Sequence, residues 1–381
     1  MRTLLRPTAV LGLLSVLTGC VAAGGGEQTA PASACGSRIA VLGPLSGDSA
    51  DLGGNVRDGA RLAFDQYRAE HPDCPVELVE FDSQGDPKQA PALAQQIVND
   101  ARIIGVVGPG FSGEAEAALP IFDQGGVATI TTSATRTELS ERGWSTFHRL
   151  VGNDAAQGRA VGRYIDQALG GTAVFVVDDG GAYGQGLADQ VAAGLGAKVV
   201  QRATVAAGAT DFSAVVGQIR SADADVVFYG GYYAEAGRLR RQLRAADIPA
   251  TFVAGDGAKA DGFLREAGDD AETGVVITCP CLPPERAGAE FPQRYRERFG
   301  VEPGTNSAES YDAATVFLAG IQAGHGDRAA MAAFVDDYDA PGVTTRIAWT
   351  GTGELVASSV VVWAFRVQQG RFVAERSIPA S

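Results

Sequence analysis

Three glycines and a serine pose the chemical question in this chain. In "GPGFSG" (108–113), Gly108, Gly110 and Gly113 fit G-x-G-x-x-G, the spacing by which a loop brings its backbone against a dinucleotide pyrophosphate. Two features oppose that use. The fingerprint normally opens the first strand–helix unit, and here it follows the third strand-like run. It also needs an acid roughly twenty residues on to hold a ribose hydroxyl. At that place the chain reads "TTSAT" (131–135), with no carboxylate. What remains is a glycine turn that delivers Ser112 to a helix start, facing Ser133 and Thr135 at the next strand end. Hydroxyls and free N–H groups at helix N-termini, backed by the helix dipole, suit a small carboxylate. Taken singly, the same residues read as plain helix caps.

Groups for bond-breaking chemistry are sparse. "GFSG" lacks the second glycine spacing of a nucleophile elbow. Neither H-E-x-x-H nor C-x-x-C occurs, and His71, His148 and His325 are widely scattered, so no metal or cofactor is expected. Asp178-Asp179 and Asp269-Asp270 read as solvated turns. The expectation is a binding protein rather than an enzyme.

The elements that would position these groups alternate in type. Strand-like runs at 38–43, 76–82, 103–107 and 127–132 are separated by helical patterns, among them "PKQAPALAQQIVND" with proline in its first turn. A second series starts after about residue 151, with strands at 172–179, 197–205, 224–231, 251–256 and 274–278. Strands alternating with helices imply parallel sheets covered on both faces. The fold class is therefore α/β, with two doubly wound (Rossmann-like) lobes, each with its own sheet. A helix-rich part, 285–338, and a strand-like part, 343–367, look like chain returning to complete the lobes, which would be joined near residues 151, 280 and 342. Ligands of open parallel sheets sit beyond the carboxyl ends of the strands. Those strand ends are rich here in Gly, Ser, Thr and Tyr.

Length and charge bound the class. A chain of 381 residues divides readily into two domains. Its formal charge of −14 makes a nucleic-acid partner unfavourable and identifies no ligand. The amino terminus says more. Residues 1–19 carry two arginines and an apolar stretch too short to span a bilayer, which reads as a signal-peptide core. Leu17-Thr18-Gly19-Cys20 resembles the bacterial lipobox, which would make Cys20 the lipidated first residue of the mature protein. Residues 20–36 then form the lipid-bearing cysteine and a flexible Gly/Ala/Ser/Pro tether. Export permits disulfides. Cys35 and Cys74 each precede a strand of one presumed parallel pair, so they are expected to bridge; Cys279 and Cys281 flank Pro280 and could close a local ring or stay free.

Several strings then match in order: "VLGPLSGDSADLG", "DPKQAPALAQQIVND", "ITTSATRTEL", "AYGQGLADQV", the stretch from Asp211 to Gln242, and "FVAGDGA". Together, over about 38–365, they resemble the leucine/isoleucine/valine-binding proteins of ABC importers. The resemblance implies a type I periplasmic-binding-protein fold with three crossovers. Its lobes would comprise 37–151 plus 280–342, and 152–279 plus 343–381, and would close on a ligand by hinge motion. It implies that the Ser112 hydroxyl meets a ligand α-carboxylate. Ser133, Ala134 and Thr135 would engage both ligand ends, with N–H and hydroxyl on the carboxylate and a carbonyl on the ammonium. Tyr183 would close over the ligand from the opposite lobe, Tyr232 matches the tyrosine of the Y-G-G-Y string, and Asp256 would receive the α-ammonium where the family usually has the longer Glu. In the side-chain pocket Leu52 stands nearest to a family aromatic and Phe111 replaces a cysteine; both are apolar. The function so implied is capture of a branched-chain or aliphatic amino acid by a monomeric, lipid-anchored extracytoplasmic protein and delivery to ABC permease subunits. A ligand-sensing receptor, or a related solute such as an amide, urea or an aromatic acid, is the alternative.

Overall fold

The computed structural model describes residues 34–288 and 290–379. The signal segment, Cys20 and all but the end of the tether lie outside the described residues. The first sheet is built from β1 (Arg38–Gly43), β2 (Glu77–Asp82), β3 (Ile103–Val107), β4 (Ala128–Thr131) and β5 (Phe147–Arg149). All five are parallel, in the order β2-β1-β3-β4-β5. Helices α1 (Ala50–Glu70), α2 (Ala90–Asn99) and α3 (Ser112–Gln124) connect them. Inner strands β1 and β3 are buried on both faces, which is why they read as unbroken apolar runs, whereas edge strand β2 exposes Glu77 and Glu80. Strand β5, "FHR", was not foreseen; three residues with two polar side chains carry no strand signal.

The chain then crosses into α4 (Asp154–Tyr164), whose first turn is capped by Asn153, its side chain accepting from the Ala156 N–H at 3.0 Å. The second alternation runs β6 (Val174–Asp178), α5 (Ala182–Leu195), β7 (Val199–Thr204), α6 (Ser213–Ser221), β8 (Val226–Gly230), α7 (Tyr233–Ala245), β9 (Thr251–Ala254), α8 (Asp261–Ala267) and β10 (Val275–Cys279). After β10 it returns to the first lobe as α9 (Phe291–Phe299), α10 (Ser307–Gln322), α11 (Arg328–Asp336) and the hairpin β11 (Asp339–Pro341)–β12 (Arg346–Ala348). It crosses a third time to add β13 (Val362–Gln368) and β14 (Arg371–Ile378) antiparallel at one edge, giving the order β14-β13-β10-β9-β8-β6-β7.

Four apolar clusters fill the space between helices and sheets. On the first sheet, one face packs α1, α10 and α11 and the other packs α2 and α3. On the second, α6, α7 and α8 cover one face and α4 and α5 the other. One boundary differs from expectation. Residues 343–381 were assigned to the second lobe, but Ile347 is buried in the first lobe's core with Trp349 against it. The short hairpin ending at Ala348 spends its apolar side on that core, so the third crossover falls between Ala348 and Val362 rather than near 342. Cys35 is bridged to Cys74, tying the chain before β1 to the chain before β2, and Cys279 is bridged to Cys281 across Pro280.

Candidate functional site

The carboxyl ends of β1, β3 and β4 face those of β6, β8 and β9 across a cleft, and the loops leaving them meet. The Tyr233 hydroxyl donates to the Asp48 carbonyl, and Arg265 pairs with Asp51 at 2.7 Å. Arg136 Nη1 donates to the Ala182 carbonyl at 2.9 Å, and Lys259 Nζ reaches Thr305 Oγ1 at 3.2 Å. Leu52 and Phe111 of the first lobe belong to the same apolar cluster as the second lobe's α7. The two lobes are therefore shut upon each other here.

Between them lies a cavity of about 480 Å3 including its mouth. Its apolar wall is Val41, Leu45, Leu52, Val56 and Phe111, with Tyr232 above; its polar side is Ser133, Tyr183, Asp256, Gly257 and Asn306. Phe111 and Tyr232 pack with ring centroids 4.2 Å apart, and Tyr183 follows Tyr232 at 5.2 Å. The glycines of "GPGFSG" find their reason in this geometry. Gly108 holds φ +125, and a Cβ there would lie 2.4 Å from the Leu42 carbonyl oxygen; one on Gly110 would lie 2.9 Å from Pro44 Cδ. They let the β3 loop press against the β1 loop and form the cavity floor. No phosphate cradle is needed to explain them.

Six of the residues singled out from sequence, Leu52, Phe111, Ser133, Tyr183, Tyr232 and Asp256, line this one cavity. Ser112, Ala134 and Thr135 are buried behind its wall rather than in it. The Ser112 Oγ accepts from the Arg136 N–H at 3.2 Å, so this hydroxyl organises the strand-end loop instead of pointing at the cavity. The Ala134 carbonyl, expected on an ammonium, accepts from Arg149 Nη1 at 3.1 Å. The Thr135 carbonyl accepts from the Asp154 N–H at 2.7 Å. Ser133 alone of the segment faces inward, its Oγ 2.7 Å from the Gly110 carbonyl.

Asp256 is the charged residue of the wall. Only 6% exposed, its carboxylate accepts from the Tyr183 hydroxyl at 2.9 Å. Burial pushes its pKa up to about 6 against these hydrogen bonds. A carboxylate so held, in a closed apolar setting, is suited to a charge-assisted bond with an ammonium group.

Four contributors escaped the sequence reading. Val41 and Val56 sit on elements recognised as strand and helix, but periodicity does not reveal which buried position borders a cleft. Asn306 arrives from the returning chain in a left-handed conformation, φ +63, and donates from Nδ2 to the Thr132 carbonyl at 2.7 Å. Arg149 is fully buried, donating to the carbonyls of Ala134 and Arg136 while its other nitrogens pair with Glu354. It fixes the "TTSAT" segment from behind.

Comparison with known proteins agrees with this architecture. The family model described as "Periplasmic binding protein" matches residues 37–371. An "Amino acid binding protein" of Pseudomonas aeruginosa is 33% identical over 335 residues, 85% of this chain and 89% of that protein. "Leu/Ile/Val-binding protein BraC3" of Rhizobium johnstonii is 32% identical over 358 residues, 91% of this chain and 95% of that protein. Among solved structures, a leucine binding protein from Thermotoga maritima superposes with TM-score 0.82 at 26% identity, over 90% of this chain and 98% of that one. The fold is that of the type I periplasmic binding proteins, two lobes joined by three crossovers. The chain belongs to the periplasmic-binding-protein family, in the group of the leucine/isoleucine/valine-binding proteins.

Proposed function

We propose that this protein captures a branched-chain or other aliphatic amino acid in the cleft and delivers it to the permease of an ABC importer, without chemistry on the ligand. One observation carries the reading: Asp256, buried, is the one acid lining a cavity whose other lining is mainly aliphatic and aromatic, with a few neutral polar groups. The ammonium would meet Asp256, with the Tyr183 hydroxyl holding the acid in place. The carboxylate would lie toward Ser133 and Asn306, with Ser112 and Thr135 shaping that loop from behind. The side chain would fill the space bounded by Val41, Leu45, Leu52, Val56 and Phe111. A polar or charged ligand side chain would lose its water there without a partner.

Capture would proceed by lobe closure, because the ligand is touched by loops of both lobes and the latches Arg265–Asp51 and Tyr233–Asp48 span them. The lipobox-like Leu17-Thr18-Gly19-Cys20 supports export and attachment to the membrane through Cys20. A thermal-shift screen of the mature protein against all amino acids and small amides tests the reading, since a ligand stabilises by RT ln(1 + [L]/Kd). Leucine, isoleucine or valine should give the largest rise; a rise with amides or aromatic acids alone would overturn it.

A further inference from the structure

A second cavity lies away from the cleft, where the three connections between the lobes come together. It has a volume of about 380 Å3 including its mouth and takes wall from every connection: Leu150 to Gly152 from the first, Pro280 and Leu282 from the second, Leu355 to Trp363 from the third. About half of this wall is aliphatic, with Thr344, Thr345 and Ser359 among the rest. Its charged member is Glu309, on the first turn of α10 and 2% exposed. Glu309 Oε1 accepts from the Leu282 N–H at 2.7 Å, which leaves Oε2 buried with no hydrogen bond among the described residues. A buried carboxylate oxygen in that state favours a cation or a strong donor beside it.

The cations nearby are engaged elsewhere. Lys259 lies nearby, but its ammonium is bonded to Thr305 Oγ1 at 3.2 Å and sits over the Phe365 ring, 4.3 Å from the centroid. Arg286 is stacked on Trp363, 4.6 Å from its ring centre. Against these two cations stand Glu309, Glu285 and the buried Asp312, whose carboxylate accepts from the N–H groups of Val343 and Thr344 at 2.7 and 2.9 Å. Burial pushes the Glu309 pKa up to about 7, and its carboxyl group stands beside a partly aliphatic wall.

We propose that this hinge cavity is a second binding site, for a small organic monocation whose ammonium meets the Glu309 carboxylate and whose short aliphatic body lies against Leu150, Leu282 and Leu355. Because the occupant would touch all three connections, it would favour the lobe arrangement in which the cavity has this shape, and so be linked to cleft binding. The site stands on residues separate from those of the cleft.

The probe is n-propylammonium chloride, titrated into the mature protein by calorimetry, with Trp363 fluorescence as a second readout and sodium chloride as the ionic control. Saturable binding that excess leucine does not displace is expected in the wild type, and binding of one equivalent is expected to persist in Asp256→Asn. Glu309→Gln should weaken it by about tenfold or more, as expected for losing a hydrogen bond to a charged group. Val361→Phe, which adds a ring at the rim without changing charge, should weaken it likewise and decides the matter if Glu309→Gln does not fold by circular dichroism. Absence of saturable binding to the wild type, undiminished binding in a folded Glu309→Gln, or in Val361→Phe, would overturn the proposal. So would loss of binding in Asp256→Asn, which would put the probe in the cleft. Leucine titrations of the same variants report on the cleft separately: leucine should fail only with Asp256→Asn.

Discussion

The Tyr183 hydroxyl donates to Asp256 Oδ1 at 2.9 Å and accepts from the Gly257 N–H, also at 2.9 Å. One phenol thus orients the acid and pins the turn that carries it, on the floor of a cavity otherwise lined by aliphatic and aromatic groups and a few neutral polar ones. Burial raises the Tyr183 hydroxyl well above its ordinary pKa, so it remains a donor at every pH of interest.

This arrangement sets a pH dependence for ligand binding. In the closed cleft, burial raises the Asp256 pKa to about 6. An ammonium ligand binds the ionised form, so affinity is fully present above that value and falls as pH drops through it. Well below the midpoint, the loss should approach about tenfold per pH unit. Calorimetric titration with leucine from pH 8 to pH 5 checks this; constant affinity across that range would remove Asp256 from the ammonium.

Substitution of the pocket wall separates size from charge. Leu52→Ala shortens the wall without touching the polar side. Leucine affinity should fall by about 1–3 kcal/mol, with the protein still folded. Competition between leucine and phenylalanine measures the effect, and the preference should move toward the larger side chain.

Behind the cleft, Arg149 should matter for stability rather than for contact. It is fully buried, and Glu354, its partner from the third crossover, is largely enclosed with it. Arg149→Met leaves that carboxylate unpaired and should cost about 3–5 kcal/mol. Arg149→Met combined with Glu354→Met should recover part of the loss. Chemical denaturation of both variants gives the comparison.

The proposed membrane attachment is read from the amino-terminal residues. Cys20→Ala should release the protein from the membrane fraction without changing ligand affinity. Fractionation followed by immunoblotting shows whether it does.

Much of this fold is legible in the sequence because buried parallel strands are written as unbroken apolar runs, such as "IIGVV" and "VVFYG". Loops after those strands were the right places to look, and Ser133, Tyr183, Tyr232 and Asp256 do share one cavity. Less legible was direction. Ser112 and Ser133 are both strand-end hydroxyls in sequence, yet one turns inward and the other caps Arg136 N–H, a difference set by the packed loop rather than by residue type. Nothing in "FHRLVG" marks Arg149 for burial; only the folded chain brings it to Ala134 and Glu354. Asn306 reaches the cavity from chain far along in sequence, which local pattern does not foretell.

The central claim is that the cleft grips a zwitterion by its ammonium at Asp256. Calorimetry comparing leucine with 4-methylpentanoate, the same skeleton without the amino group, tests it most directly. Leucine should bind at least about tenfold tighter, the difference made by a hydrogen bond to a buried charge, and the gap should vanish in Asp256→Asn. Equal binding of the two compounds to the wild-type protein would contradict the account.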